Sequence, residues 1–410
     1  MQPQLLSSAT TIDDTVVDVR IDAEGRIASI RPHCDDSTVD GPDVELVDLS
    51  GRLLLAAPVE PHAHLDKAFL AEVVANPTGD LIGAIEAMRS NRHLLTVDET
   101  TERAERAARL MASNGYTAVR THADVTAEHG LTSIEALQRV RERVADVIDI
   151  EIVALCGWPV SGRPGADQRA LLRDALGAGA DIVGGCPHLE HVGGAGDIAS
   201  ATDVLLGIAD EFRRPVDLHT DETLDPAADG LDRLATAVLD GFDLPVTASH
   251  CVSLGQRSEA EQAATAARVA TAGIVVVALP HTNLFLQGRG KAPMPRALTA
   301  VAALRDAGVT VAAGADNLQD PFNPLGRACP FETAGLMVLA SHVLPRVAWQ
   351  MVSDASRRAL GRTDTDADDA VDGLAVGAKA DLLSVPGDSV RDAIAYGPSD
   401  RWVWRHGRRR

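Results

Sequence analysis

The stretch "PVEPHAHLDKAFL" (58–70) sets His62 and His64 one residue apart, directly after the apolar run "LLLAAPV". In an extended chain successive side chains alternate faces, so the two imidazoles point one way and Ala63 the other. Two imidazoles on one face at a strand's end suit a metal ion. A His-x-His pair alone is a weak signal, and the fold is decided by whether other strands deliver partners to the same end.

The composition bounds the search. A chain of 410 residues, 45% of them hydrophobic, can bury a large core and build one big domain plus a smaller one. Aromatic residues make up 3%, so a surface built to stack bases is not expected. The formal charge of −21 repels nucleic-acid phosphates and anionic lipid surfaces and argues against both as partners. The basic run "RHGRRR" at the end reads as a solvated tail. Cys34, Cys156, Cys186, Cys251 and Cys329 are odd in number, far apart and form no C-x-x-C, which predicts neither a disulfide framework nor a zinc ribbon. The first residues lack a basic segment followed by an apolar one, and no long apolar span occurs, so a cytoplasmic location is expected.

Short apolar runs alternate with longer segments of helical period. The runs are "TAVRTHADV" (117–125), "DIEIVALCG" (149–157), "DIVGGCPHLE" (181–190), "VDLHTDE" (216–222), "VTASHC" (246–251), "GIVVVALPHTN" (273–283) and "VTVAAGADN" (309–317). Together with the strand ending at "EPHAH" they number eight. Between them lie segments such as 97–115, where Ala104, Ala107, Ala108 and Met111 recur at helical spacing with charges on the other face. Continuously apolar strands separated by such helices predict a parallel sheet covered by helices, and eight units close a (β/α)8 TIM barrel.

The chain ends read differently. "VVDVRIDAEGRIASIRP" alternates in period two around a turn, as an antiparallel hairpin does, and "VGAKADLLSV" and "DRWVWRHG" are again strand-like. The expected organisation is a small β-sandwich domain from residues 1–57 and 363–410, with the barrel at 58–362 inserted between them. The Asp-rich stretch 360–375 lacks the spacing of a calcium loop and reads as a solvated connection.

In such a barrel the chemistry gathers at the C-terminal ends of the strands. His62 and His64, His219 with Asp221 and Glu222, His250, and Asp316 with Asn317 all fall at those ends. Three imidazoles and one carboxylate with a position left open suit Zn²⁺ or Fe²⁺ and a water, so His62, His64, His219 and Asp316 are the expected metal ligands. Two-metal barrels of this kind usually bridge their ions with a modified lysine on the fourth strand. "DIVGGCPHLE" has none, so one divalent ion per chain is expected.

The segments "EPHAHLDK", "HTDE", "ASHC", "LQGR" and "ADNLQDPFNPLG" resemble the amidohydrolase superfamily, and within it the cytosine deaminase-like branch, over nearly the whole chain. The resemblance implies water attack on an amidine carbon of a nitrogen heterocycle and loss of ammonia or an amine. It implies Glu222 as general acid and base, His250 as the group orienting the attacking oxygen, and Asp316 as both ligand and proton acceptor. It also implies that Gln287 and Phe322 line the pocket, and the branch often forms homo-oligomers.

The departures bear on the substrate. Where cytosine deaminases carry a substrate-reading glutamine, this chain has Gly157, followed by Trp158, so a heterocycle other than cytosine is expected. Lys67 replaces a threonine and Asn317 an aspartate, which would make the pocket more positive and suit a more oxygenated or anionic ring. Lys67 serves equally well in a structural ion pair. His122 and His188 sit at strand ends with either a site role or a packing role open, and Cys251 reads as packing. The deaminase reading stands beside two others, a cyclic-amide hydrolase that opens a ring and a binding protein without activity. Retention of the four ligands and Glu222 argues against the last.

Overall fold

The structure is a computed structural model and describes residues 1–34, 43–193, 196–362 and 374–410. Five strands precede the barrel: β1 (Gln4–Thr10), β2 (Val16–Ile21), β3 (Ile27–Pro32), β4 (Glu45–Asp48) and β5 (Arg52–Ala56). The barrel strands are β6 (Glu60–Ala63), β7 (Ala118–Val125), β8 (Asp149–Cys156), β9 (Ile182–Gly185), β10 (Val216–Thr220), β11 (Val246–His250), β12 (Val275–Ala278) and β13 (Val311–Ala313). Three strands follow: β14 (Leu382–Pro386), β15 (Trp402–Arg405) and β16 (Arg408–Arg409).

β6 to β13 pair in chain order, each parallel to the next, in the (β/α)8 arrangement expected from the eight runs. Every residue of β7 is buried and only two of β8 are partly exposed, which is why those strands read as continuous runs rather than as alternating ones. Helices cover the barrel. α1 (Leu81–Ser90) and α2 (Val97–Ser113) lie between the first two strands and α3 (Thr132–Arg143) follows β7. In α2 the predicted stripe of Ala104, Ala107, Ala108 and Met111 is buried, and Thr96 caps the helix by accepting from the Glu99 N–H. Two of the apolar runs end earlier than they read: 187–193 is a 3₁₀ helix and Pro280–Leu286 is α-helical.

Both chain ends meet in one separate sheet, ordered β16-β15-β14-β5-β1-β2-β3 with β4 beside β1. Its core holds Leu6, Val19, Ile21, Ile27, Leu54, Leu382 and Trp404. The basic end is a solvated tail only in part: Arg408, Arg409 and Arg410 are exposed, but the run is folded. β15 and β16 form an antiparallel hairpin, and Arg405 is buried against Asp149 at the start of β8. The local charge run carried no sign of that distant carboxylate. Most of the Asp-rich connection lies outside the described residues, and no described helix is long and apolar enough to cross a membrane.

The barrel closes between its first and last strands. The His64 N–H donates to the Asp316 carbonyl at 3.2 Å and the Asp316 N–H to the His62 carbonyl at 3.0 Å, in a parallel bridge of Ala63 with Asp316. Below it the buried Glu60 carboxylate accepts from the Ala315 N–H at 3.1 and 3.2 Å and from the His62 N–H at 3.2 Å. The seam leaves no room for a side chain at Gly314, where a Cβ would stand 2.5 Å from Glu60 Oε1.

Gly314→Ala is therefore expected to destabilise the protein by about 1–3 kcal/mol through overpacking. Gly207→Ala, on an exposed helix face with nothing within 4 Å, should be neutral or stabilise by up to about 1 kcal/mol. Denaturant midpoints of the two variants compare the sites directly. Equal effects would contradict this account of the seam.

Candidate active site

The closing seam sets His62, His64 and Asp316 side by side, and β10 and β11 add His219 and His250 from neighbouring strands. His64 Nε2 lies 3.2 Å from His219 Nε2 and 3.3 Å from Asp316 Oδ1, and His62 Nε2 lies 3.6 Å from the same oxygen. All these side chains are buried. Four expected ligands thus converge, as their positions at strand ends implied.

Several of their atoms have no hydrogen-bond partner although no solvent reaches them: His62 Nε2, His219 Nδ1, His250 Nε2 and both oxygens of Asp316. Orphaned buried polar atoms are costly, each by about 1–3 kcal/mol, and several of them on neighbouring imidazoles and a carboxylate fit an ion site. The spacing agrees, since tetrahedral ligands on bonds of about 2.1 Å stand about 3.4 Å apart. His62, His64 and His219 form one group able to hold a metal ion, and His62, His250 and Asp316 form another sharing His62. Burial drives the imidazoles of His62 and His219 well below their ordinary pKa, so both are neutral, as ligands must be. Burial works to raise the Asp316 carboxyl, but His64 and His250 hold it below the usual value and keep it anionic.

A polar layer under the site fixes His62. Arg120 on β7 donates to Asp217 at 3.0 Å, Ser249 donates to the other Asp217 oxygen at 2.9 Å, and Ser249 Oγ lies 2.9 Å from His62 Nδ1. A hydroxyl has one proton. With that proton given to Asp217, Ser249 must accept from His62 Nδ1–H, which leaves the Nε2 lone pair free to face the cluster. His122 stacks on His62 with centroids 3.8 Å apart, and both its nitrogens are unpartnered. His188 donates from Nδ1 to the His219 carbonyl at 3.0 Å and so steadies β10.

Glu222 and His250 stand on the open side, with His250 Nδ1 3.7 Å from Glu222 Oε1. Burial, reinforced by Asp316, lifts the Glu222 carboxyl well above its ordinary pKa. Burial lowers His250 to about 4. Asp221, His250 and Asp316 all take left-handed backbone angles (φ 50°, 71° and 63°). Their strain is held by local bonds, including Asp221 accepting from Gly230 N–H at 2.9 Å and Leu231 N–H at 3.0 Å.

His64, His219, Glu222, His250 and Asp316 line one cleft. Gly157, Trp158, Asn317 and Phe322 line it, as does Lys67. Gln287 does not, and its amide instead donates to the Glu222 carbonyl at 3.1 Å. Gly157 lies against Gln168 and Thr126, each 3.2 Å from where a Cβ would stand. Asn317 is used up between Thr282 and Asp320, at 3.1 and 2.8 Å. The Lys67 ammonium donates to Asp124 at 2.7 Å and lies 3.1 Å from His64 Nδ1. Its charge is balanced, so the more positive pocket expected from Lys67 does not arise from that residue. The sequence reading missed Asp124 and Arg92, which pair at 2.8 Å, and the wall made by Leu81, Ile85, Met88 and Arg89 of α1. The i, i+4, i+7 spacing of Leu81, Ile85 and Met88 marks one helix face, but nothing local says that it borders the cleft.

The profile described as "Amidohydrolase family" matches residues 71–409. The chain belongs to the amidohydrolase family. It is 33% identical over 395 residues to the pterin deaminase of Rhizobium rhizogenes (strain K84), covering 94% of this chain and 86% of that protein. The 5-methylcytosine deaminase of Klebsiella pneumoniae, solved with phosphonocytosine, superposes with a TM-score of 0.87 at 30% identity, covering 99% of this chain and 97% of that one. The N-isopropylammelide isopropylaminohydrolase of Burkholderia multivorans gives 0.83 at 30% identity, with 100% and 98% covered. Membership in this family makes the protein a hydrolase of carbon–nitrogen bonds and implies a divalent metal.

If Ser249 sets the His62 tautomer, Ser249→Ala should fold yet hold a divalent ion about 10- to 100-fold more weakly, as loss of such an outer partner usually does. Competition against a chelator of known affinity measures it. Unchanged affinity would sink the relay.

Proposed function

We propose that this amidohydrolase is a one-metal hydrolytic deaminase of an amino-substituted, oxo-bearing nitrogen heterocycle of about pteridine size, and that it acts in the cytoplasm. The observation that carries the reading is Glu222, a buried carboxyl 3.7 Å from His250 in a cleft that His64, His219 and Asp316 also line. The relative that deaminates a pterin supports the ring size, and Gly157 in the glutamine position speaks against cytosine.

His62, His64, His219 and Asp316 would hold one Zn²⁺ or Fe²⁺. Bound there, such an ion lowers the pKa of water from 15.7 to about 7, giving a nucleophile at neutral pH. The residues divide the remaining work. Asp316, anionic and unpartnered, takes the proton released as water is activated. His250, steadied by Asn283 at 3.0 Å on Nδ1, presents Nε2 toward Asp316 at 4.0 Å and orients the attacking oxygen. Glu222 gives its proton to the ring nitrogen beside the attacked carbon, takes the hydroxyl proton of the resulting adduct and passes it to the leaving amine, and the proton held by Asp316 then restores Glu222. Substrate amidine and water become a ring carbonyl and ammonia, with one C–N bond broken and one C–O bond made. The free thiols among the described residues fit a reducing compartment.

Metal-loaded protein incubated with 2-amino-4-oxopteridine should release ammonia, and faster than with cytosine. Mass gain of one water without loss of nitrogen would instead establish ring opening. Glu222→Gln should keep ligand binding but lose about 10²–10⁴-fold in turnover. Near-normal turnover in that variant would remove Glu222 from the mechanism.

A further inference from the structure

The cleft carries one cation that nothing balances. Of the cationic groups lining it, Lys67 is paired with Asp124 at 2.7 Å and Asp66 at 3.4 Å, and Arg92 with Asp124 at 2.8 Å. Arg89 differs. It is exposed on the last turn of α1, it borders the same cleft, and among the described residues it makes no ion pair. Its guanidinium lies 4.9 Å from the centre of the Trp158 ring. This chain has 59 acidic side chains against 38 Lys and Arg, and some exposed arginines, such as Arg109, Arg143, Arg213 and Arg233, pair with a carboxylate while others do not. An arginine left unpaired at a cleft mouth in so acidic a protein has its planar fork available to a ligand.

The neighbouring groups say what kind. Trp158 offers an aromatic face to a flat ring, and Leu81, Ile85, Met88 and Phe322 supply apolar walls. A guanidinium beside that ring matches a carboxylate bidentately. We propose that Arg89, braced on Trp158, forms a subsite for a carboxylate carried on the end of the heterocycle remote from its amino group. This rests on the deaminase reading and narrows its substrate to an anionic one. It also places the positive charge on α1 rather than at Lys67, whose ammonium is neutralised within the protein.

The test uses probes with no amino group to lose, so binding is read whether or not the protein deaminates anything: 2,4-dioxopteridine-6-carboxylate and the neutral, equally large 6-carboxamide. Isothermal titration of the metal-loaded protein should show the carboxylate bound about tenfold or more tightly than the amide, the range of a charge-assisted hydrogen bond. In Arg89→Ala the ratio should fall toward one, and in Arg89→Lys it should be intermediate, since lysine keeps the charge but not the fork. A ratio near one in the unaltered protein, a ratio preserved in Arg89→Ala, or binding of neither probe would overturn the subsite. Failure of the deaminase reading would show separately, as absence of ammonia from every aminopteridine.

Discussion

A parallel barrel must join its first strand to its last, and here the joining residues are those of the site. The hydrogen bonds that close the seam run between the backbones of His62, His64 and Asp316. The ligand side chains are therefore placed by the same bonds that complete the sheet, and cannot drift apart without opening the barrel. Glu60 clamps the seam from below with its carboxylate on Ala315, and burial pushes that carboxyl up to about 8. The bare Cα of Gly314 gives it the space.

The interior above and beside the seam is polar in a way that only long-range pairing makes tolerable. Arg120, Glu151, Asp217, Thr247 and Ser249 come from four different strands and satisfy one another across the barrel. Removing one member of such a buried set typically costs about 3–5 kcal/mol, because a charge is left without a partner. The apolar stabilisation lies outside this layer, where the helices pack on the strands. Chemistry and stability are thus separated radially. Strained left-handed residues appear at strand mouths, where His250 and Asp316 line the cleft and Asp221 accepts from the first N–H groups of the next helix.

What the sequence made legible follows from the same physics. Strand periodicity put His62 and His64 on one face, and strand ends collected His219, His250 and Asp316, because both rules are local and the barrel repeats them eight times. The hairpin at residues 16–32 was equally visible, since its alternation and turn lie within one short segment. Pairings across large separations were not. Lys67 reads equally as an added charge and as half of an ion pair, and only Asp124, 57 residues later, decides for the pair. Asn317 reads as a lost anion until Asp320 and Thr282 are seen to occupy both ends of its amide. The basic C-terminal run hid the same kind of partner in Asp149, and the α1 wall gave no local sign of which face borders the cleft.

The claim on which the rest depends is that the seam builds a single ion site from His62, His64, His219 and Asp316. Anomalous diffraction from crystals of zinc-loaded protein, collected on both sides of the zinc edge, locates the ion directly. The account predicts one peak per chain, within bonding distance of the three imidazoles and the Asp316 carboxylate. A peak centred on His122 and Asp217, or two peaks sharing His62, would contradict it.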